Sequence, residues 1–259
     1  MSRTLRALGA TALSLALLSP VAAHADRWGG SDPAGDVTGW QYQPDPEPCG
    51  TFLDVDGAAE AHEDITYLGV RHTRHDVVAT VRFSDLDAAS ELATTIYLRT
   101  ARGGFWLDLD RFQSRNGQWR TLTFLAHAPR YPDPEDIDEC GGFGFASFDL
   151  GCRIAHTVDA AADLVRLTVP RRCIKNPRWV RAGADAYRFI DPEDGTDPTF
   201  GAFSDDWSGG TVLTKWRISY GPRVAATAGA TLVTPPTGPR TGVHRYGFAV
   251  RQDGIFRRR

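Results

Sequence analysis

The chain has 259 residues, 42% of them hydrophobic and 24% charged, with a formal net charge of -3. That hydrophobic share excludes a disordered chain, and 26 Gly with 16 Pro in no fixed period exclude a collagen-like one. Acids outnumber bases, which speaks against nucleic acid as a partner.

Residues 1–25 read as a secretory signal peptide. Arg3 and Arg6 precede an apolar run from Ala7 to Leu18, followed by Pro20 and the small-residue exit Ala23-His24-Ala25. Cleavage is expected before Asp26, giving a secreted, extracellular product. The apolar run is shorter than the roughly 20 residues that cross a bilayer, and no later stretch approaches that length, so no membrane span is expected. Residues 26–63 are rich in Asp, Pro, Gly and Glu and are expected to form an irregular acidic lead-in.

From Asp64 onward apolar residues recur with period two. Val77, Ala79, Val81 and Phe83 alternate with Thr80 and Arg82, and Phe105, Leu107 and Leu109 alternate with Trp106, Asp108 and Asp110; each marks a half-buried strand. The run 119–125 repeats the pattern, and 64–72, 94–100, 152–158, 163–169, 178–190 and 212–220 are further strand-like runs. Turn signals separate them, among them Thr73-Arg74-His75-Asp76, Arg102-Gly103-Gly104 and Asn116-Gly117. No long segment carries a helical stripe. About nine short strands must close or double to hide their edges, so the expected fold is an all-β, jelly-roll-like antiparallel β-sandwich over 64–234, a single domain, with a C-terminal tail over 235–259.

Cys49, Cys140, Cys152 and Cys173 form no CxxC pair, and an even count in an exported chain reads as two disulfides. Three pairings exist. The favoured one joins Cys152 with Cys173, across one pair of strand-like runs, and Cys49 with Cys140.

The segments Asp64-Ile65-Thr66, Val77 through Leu86, Val169-Pro170-Arg171-Arg172-Cys173 and Pro177-Arg178-Trp179-Val180-Arg181 follow an Asp-Pro-x-Gly-Asp motif at Asp32-Pro33-Ala34-Gly35-Asp36. Over about residues 30–190 this pattern resembles a group of uncharacterised secreted actinobacterial proteins. The resemblance implies a sandwich similar to DOMON-like and family-9-type carbohydrate-binding modules. The stretch Tyr131 to Gly142, with Cys140, departs from the pattern.

Aspartates beside glycine suit calcium, a hard cation that takes six to eight oxygens in irregular geometry. The candidate ligands of a structural calcium are Asp32, Asp36, Asp64, Asp205 and Asp206. The competing explanation is that Asp and Gly serve turns. Asp54-Val55-Asp56-Gly57 resembles part of an EF-hand loop, but its first ligand place would fall on Phe52, which has no oxygen to offer. His72 and His75, followed by Asp76, could form a metal cluster, since imidazole nitrogens suit zinc or copper, but they straddle an expected turn where polar residues belong anyway, and His156 is expected to be partly buried within its strand. No Gly-x-Ser-x-Gly motif is present.

Among Trp28, Trp40, Tyr42, Trp106, Trp119, Trp207 and Trp216, the strand residue expected to turn outward as a ligand platform is Trp106, because it shares a face with Asp108 and Asp110. Trp119 and Trp179 are expected to pack inside. The sequence therefore points to a secreted, non-catalytic binding or structural module, ordered by calcium. A carbohydrate or cell-wall component as ligand is the first alternative, and an extracellular hydrolase using loop carboxylates is the second.

Overall fold

The structure is a computed structural model that describes residues 26–43, 50–128, 147–190, 200–207, 218–226 and 245–246. Among these residues the strands are β1 (Arg27–Ser31), β2 (Thr38–Gln43), β3 (Thr51–Asp56), β4 (Ile65–His72), β5 (Asp76–Phe83), β6 (Leu92–Thr100), β7 (Gly103–Gln113) and β8 (Trp119–His127). There follow β9 (Ser147–Phe148), β10 (Ala155–Asp159), β11 (Leu164–Pro170), β12 (Trp179–Ile190), β13 (Phe200–Asp206), β14 (Val224–Ala225) and β15 (Arg245–Tyr246). The only helical piece among the described residues is a 3-10 turn at Arg171–Ile174.

Two antiparallel sheets hold these strands. The smaller has the order β1-β4-β5-β11-β10, and the larger β3-β2-β13-β12-β6-β7-β8 with β14 beside β12. Alternation explains how they stack. Val77, Ala79, Val81 and Phe83 of β5 and Val165, Leu167 and Val169 of β11 send their side chains into one cluster with Ile96 and Leu98 of β6, Phe105, Leu107 and Leu109 of β7 and Ala182, Ala184 and Ala186 of β12. Each large aliphatic side chain buried there contributes about 1.5–3 kcal/mol relative to exposure, and only face-to-face packing of the sheets removes both sets from water. The chain is thus an all-β sandwich.

Cys152 and Cys173 are bonded, with Cα atoms 6.1 Å apart. The bridge ties the approach to β10 to the 3-10 turn that follows β11, and both side chains pack on the core. Cys49 and Cys140 lie outside the described residues, as do the signal peptide, the 131–142 stretch and the tail apart from β15. No helix among the described residues is long and apolar enough to cross a membrane.

Four expectations need correction. The 26–63 segment is not irregular: β1 pairs with β4 in the smaller sheet, while β2 and β3 extend the larger one. Gly, Asp and Pro hide its alternation, and pairing with strands distant in sequence decides its conformation. The strand expected over 212–220 is not seen in its described part, 218–220, whereas β13 at Phe200–Asp206 fills that side of the sheet. His156 is exposed, because β10 is the edge of its sheet. Trp119 is 36% exposed at the start of edge strand β8, with the Arg111 guanidinium 4.3 Å above its ring.

Candidate functional site

The connection between β1 and β2 is the Asp32-Pro33-Ala34-Gly35-Asp36 segment. The Asp32 amide donates to the Thr66 carbonyl at 2.9 Å, which starts the loop against β4. Gly35 then takes φ +79°, a left-handed conformation that costs an L-residue with a Cβ about 1–2 kcal/mol. This turn brings the Gly35 amide within 2.9 Å of Asp64 Oδ2. The same oxygen accepts from Ser84 Oγ at 2.5 Å, so Asp64, just before β4, anchors two loops at once.

Asp205 reaches the same place from the other sheet. On β13 it points inward, and its Oδ2 accepts from the Ile65 amide at 2.7 Å, which links the end of the larger sheet to the start of β4 in the smaller. The carboxylates of Asp32, Asp36 and Asp205 can each offer an oxygen within 4.8 Å of the others. Burial pushes the Asp205 carboxyl up to about 8 against the opposing hydrogen bond from the Ile65 amide, and the charges of Asp36, Asp32 and Asp64 each add a smaller rise. Burial, then Asp32 and Asp64, raises Asp36 as well.

Asp64 is 3% exposed, and its second oxygen, Oδ1, is buried with no hydrogen-bond partner. A buried unpaired carboxylate oxygen is costly unless a donor or a cation completes it. All the donors here are hard oxygens, the chemistry of calcium or magnesium rather than of zinc or copper. The residues therefore fit a calcium ion.

Of the five expected ligands, Asp32, Asp36 and Asp205 come together, and Asp64 stands beside them. Asp206 follows Asp205 and so lies on the opposite side of β13. There it faces Asp185 of β12, its direct cross-strand neighbour. His72 and His75 do not join a metal group. His72 is fully buried with Nδ1 3.1 Å from the Val224 carbonyl, and burial first, then Arg171, lowers its imidazole to about 4 against the pull of that carbonyl. The Thr73–Asp76 stretch is the expected turn, closed by the Thr73 amide on the Asp76 carbonyl at 2.8 Å.

Trp106 does turn away from the core. It lies on the outer face of the larger sheet, its ring edge-to-face with Tyr97 at 5.7 Å between centroids. The Tyr97 hydroxyl donates to Asp185 Oδ2, and the Thr95 amide to Asp185 Oδ1 at 3.2 Å. Burial raises Asp108 to about 8 and Asp185 to about 7, with Thr95 offsetting part of each rise and nearby aspartates adding to it.

No family model matches the chain, nor does any curated protein or any solved structure. The geometry alone thus carries the functional reading.

No motif along the chain singles out Asp185, Tyr97 or Thr95. The alternation of 178–190 puts Asp185 on a face with Gly183 and Tyr187, but nothing along the chain brings that face beside Trp106. Glu63, the twelfth place of the rejected EF-hand pattern, has a structural part instead. It is fully buried and paired through Oε1 with Arg188 Nε at 2.8 Å, while Glu60 meets the same guanidinium at 2.6 Å. Arg188 thereby clamps the β3–β4 connection to β12, next to Asp64.

Proposed function

We propose that the protein is a secreted, non-catalytic β-sandwich module whose two sheets are joined at one edge by a calcium ion. The observation that carries this reading is the meeting of Asp32, Asp36 and Asp205 beside the unpaired oxygen of buried Asp64. Asp32, Asp36 and Asp205 would hold the ion, with Asp64 alongside. The ion's charge would offset their mutual repulsion and fasten the β1–β2 loop and the end of β13 to the start of β4. The disulfide between Cys152 and Cys173 accords with an oxidising compartment, and the inferred kinship with DOMON-like and family-9-type modules belongs to the same reading.

The test is thermal unfolding in calcium and in chelator. At a calcium concentration 100 times Kd the ion adds about 2.7 kcal/mol, so the melting temperature rises for the native chain. Asp205→Asn removes one ligand but keeps an oxygen to accept from the Ile65 amide, and its response to calcium is expected to shrink or vanish. Superimposed native curves in calcium and chelator overturn the ion.

A second reading, binding of a carbohydrate or cell-wall component, draws on a separate observation. Trp106 and Tyr97 stand on an outer sheet face beside Asp108 and Asp185, a flat ring next to groups that can donate and accept hydrogen bonds to hydroxyls. A pull-down on peptidoglycan and on insoluble polysaccharides, with Trp106→Ala as comparison, tests it. Binding that depends on Trp106 supports the reading, and a flat response removes it.

A further inference from the structure

The smaller sheet turns Trp28 of β1, Leu68 and Val70 of β4, Val81 of β5 and Leu167 of β11 toward the core. By alternation Arg27, Arg71, Arg82 and Arg166 turn to its outer face, and all four are exposed. Register sets them in two pairs. Arg27 lies directly opposite Arg71, and Arg82 is opposite Leu164, one diagonal step from Arg166. Like charges placed face to face destabilise a sheet, and nothing on the protein neutralises these. Arg27, Arg71 and Arg166 have no ion-pair or hydrogen-bond partner among the described residues, and Arg82 makes one long bond, 3.4 Å to the Ala162 carbonyl. The acids on the outer side of these strands stand at its ends. An oxygen of Asp159 accepts from the Ala161 and Ala162 amides of its own turn at 3.2 Å each, and Asp76 closes the β4–β5 turn.

Between the two arginine pairs the face is low and rich in hydroxyls. The Tyr67 ring lies across the cross-strand glycines Gly29 and Gly69: a Cβ on Gly29 would overlap the Tyr67 hydroxyl, and one on Gly69 would fall 2.7 Å from ring Cε1. Thr80, Thr168 and Thr157 continue that floor over β5, β11 and β10. Arg71 stands opposite Val78, four residues before Arg82, so the pairs lie about 13 Å apart along the strands. One small anion cannot reach both. Because β4, β5 and β11 are each paired on both sides, an extended peptide laid here finds no main-chain partner. A guanidinium pair is a fork for carboxylate oxygens, and the hydroxyl floor suits a hydroxylated chain that joins one carboxylate to the next.

We propose that this face binds an acidic polysaccharide, with carboxylates at Arg27 and Arg71 and at Arg82 and Arg166, and sugar hydroxyls over Tyr67 and the threonines. The inference is independent of the calcium ion and of Trp106, which stands on the other sheet.

The experiment is calorimetric titration of the purified full chain, without added calcium, with a long oligogalacturonide and with its methyl ester. Esterification removes the charge and keeps the sugars. The acid is expected to bind, and the ester to bind about tenfold more weakly, the equivalent of one charge-assisted hydrogen bond. Binding of the acid is expected to weaken with added salt. Arg71→Gln and Arg166→Gln should each weaken it about tenfold, with melting unchanged or raised, because each relieves a repulsion in the free protein. Arg120→Gln, which removes an exposed arginine of the larger sheet, should leave it unchanged. No binding of the acid, equal affinity for the ester, or an equal loss in Arg120→Gln overturns the inference. Polyglutamate of the same charge binding as tightly overturns it too, since bare charge attraction would then suffice. The melting shift in calcium and the Trp106-dependent pull-down are read separately, so either of those readings can stand or fall without this one.

Discussion

At the scale of single residues, several buried carboxylates gather where the β3–β4 connection meets β12 and β13. Arg188 and Glu63 show the cost of such an arrangement. Glu63 is fully buried and its Oε2 has no partner, so the guanidinium of Arg188 is what makes its charge tolerable. Removing one member of a buried pair is far more damaging than replacing both, because the remaining charge is left uncompensated. Arg188→Ala is therefore expected to lower stability by about 3 kcal/mol, read as a shift in the urea midpoint. Glu63→Gln combined with Arg188→Ala should recover part of that loss. An Arg188→Ala variant with native stability would show that this ion pair does not hold the fold together. Asp64 is the same kind of residue: two donors satisfy one oxygen, and the other is buried with no hydrogen-bond partner.

At the scale of elements, covalent and non-covalent fasteners act at different ends of the strands. The Cys152–Cys173 bond closes a loop of about 20 residues around the hairpin of β10 and β11, and β10 is an edge strand with few apolar neighbours. On the loop-entropy account such a bridge is worth about 3 kcal/mol. The double variant Cys152→Ser, Cys173→Ser is expected to lose that amount in denaturant unfolding and to exchange the β10 amides first. Unaltered exchange in β10 would show that β11 alone holds the edge. The β1–β2 loop has no covalent tie; the left-handed turn at Gly35 and the Asp64 carboxylate hold it.

At the scale of the whole molecule, burial of titratable groups sets a pH dependence whose sign is opposite to that of ordinary acid denaturation. The carboxyls of Asp108, Asp185 and Asp205 are raised by burial to about 8, 7 and 8, from a normal value of 3.8. Between those limits the folded chain holds protons that the unfolded chain has released, so stability falls as pH rises from about 4 to about 8. His72 runs the other way. Its value, lowered to about 4 from 6.5, makes the unfolded chain bind the extra proton, and stability is gained as pH rises through that interval. One histidine offsets only part of three carboxyls, and above 6.5 it offsets nothing. In chelator, the urea midpoint is expected to be lower at pH 8 than at pH 5.5. A higher midpoint at pH 8 would show that these carboxyls are ionised in the folded chain.

Much of the architecture was legible along the chain, because a strand's two faces are written two residues apart. Val77 to Phe83 and Phe105 to Leu109 are each self-sufficient signals of a half-buried strand, and Trp106 beside Asp108 announced an outward face. The 26–63 segment was illegible for the converse reason: its strands hold through pairing with β4 and β13, and their glycines carry no side chain to alternate. Asp32 and Asp36 could be grouped by their spacing in one loop. Asp185 could not be grouped with Trp106, since 79 positions separate them and only the sheet register of β12 on β6 and β6 on β7 closes the gap.

By itself, then, the order of amino acids determined the all-β class and most of the strands and favoured the Cys152–Cys173 pairing, since these follow from local periodicity and short separations. Only the tertiary structure decided that Asp205 meets Asp32 and Asp36, that Asp206 turns away to Asp185, and that Asp206, Asp185 and Asp108 fall in one row across the larger sheet. Those meetings depend on strand order and on which sheet packs where. Hydrophobic burial sets that order through contacts far apart in the chain, and local pattern carries no record of it.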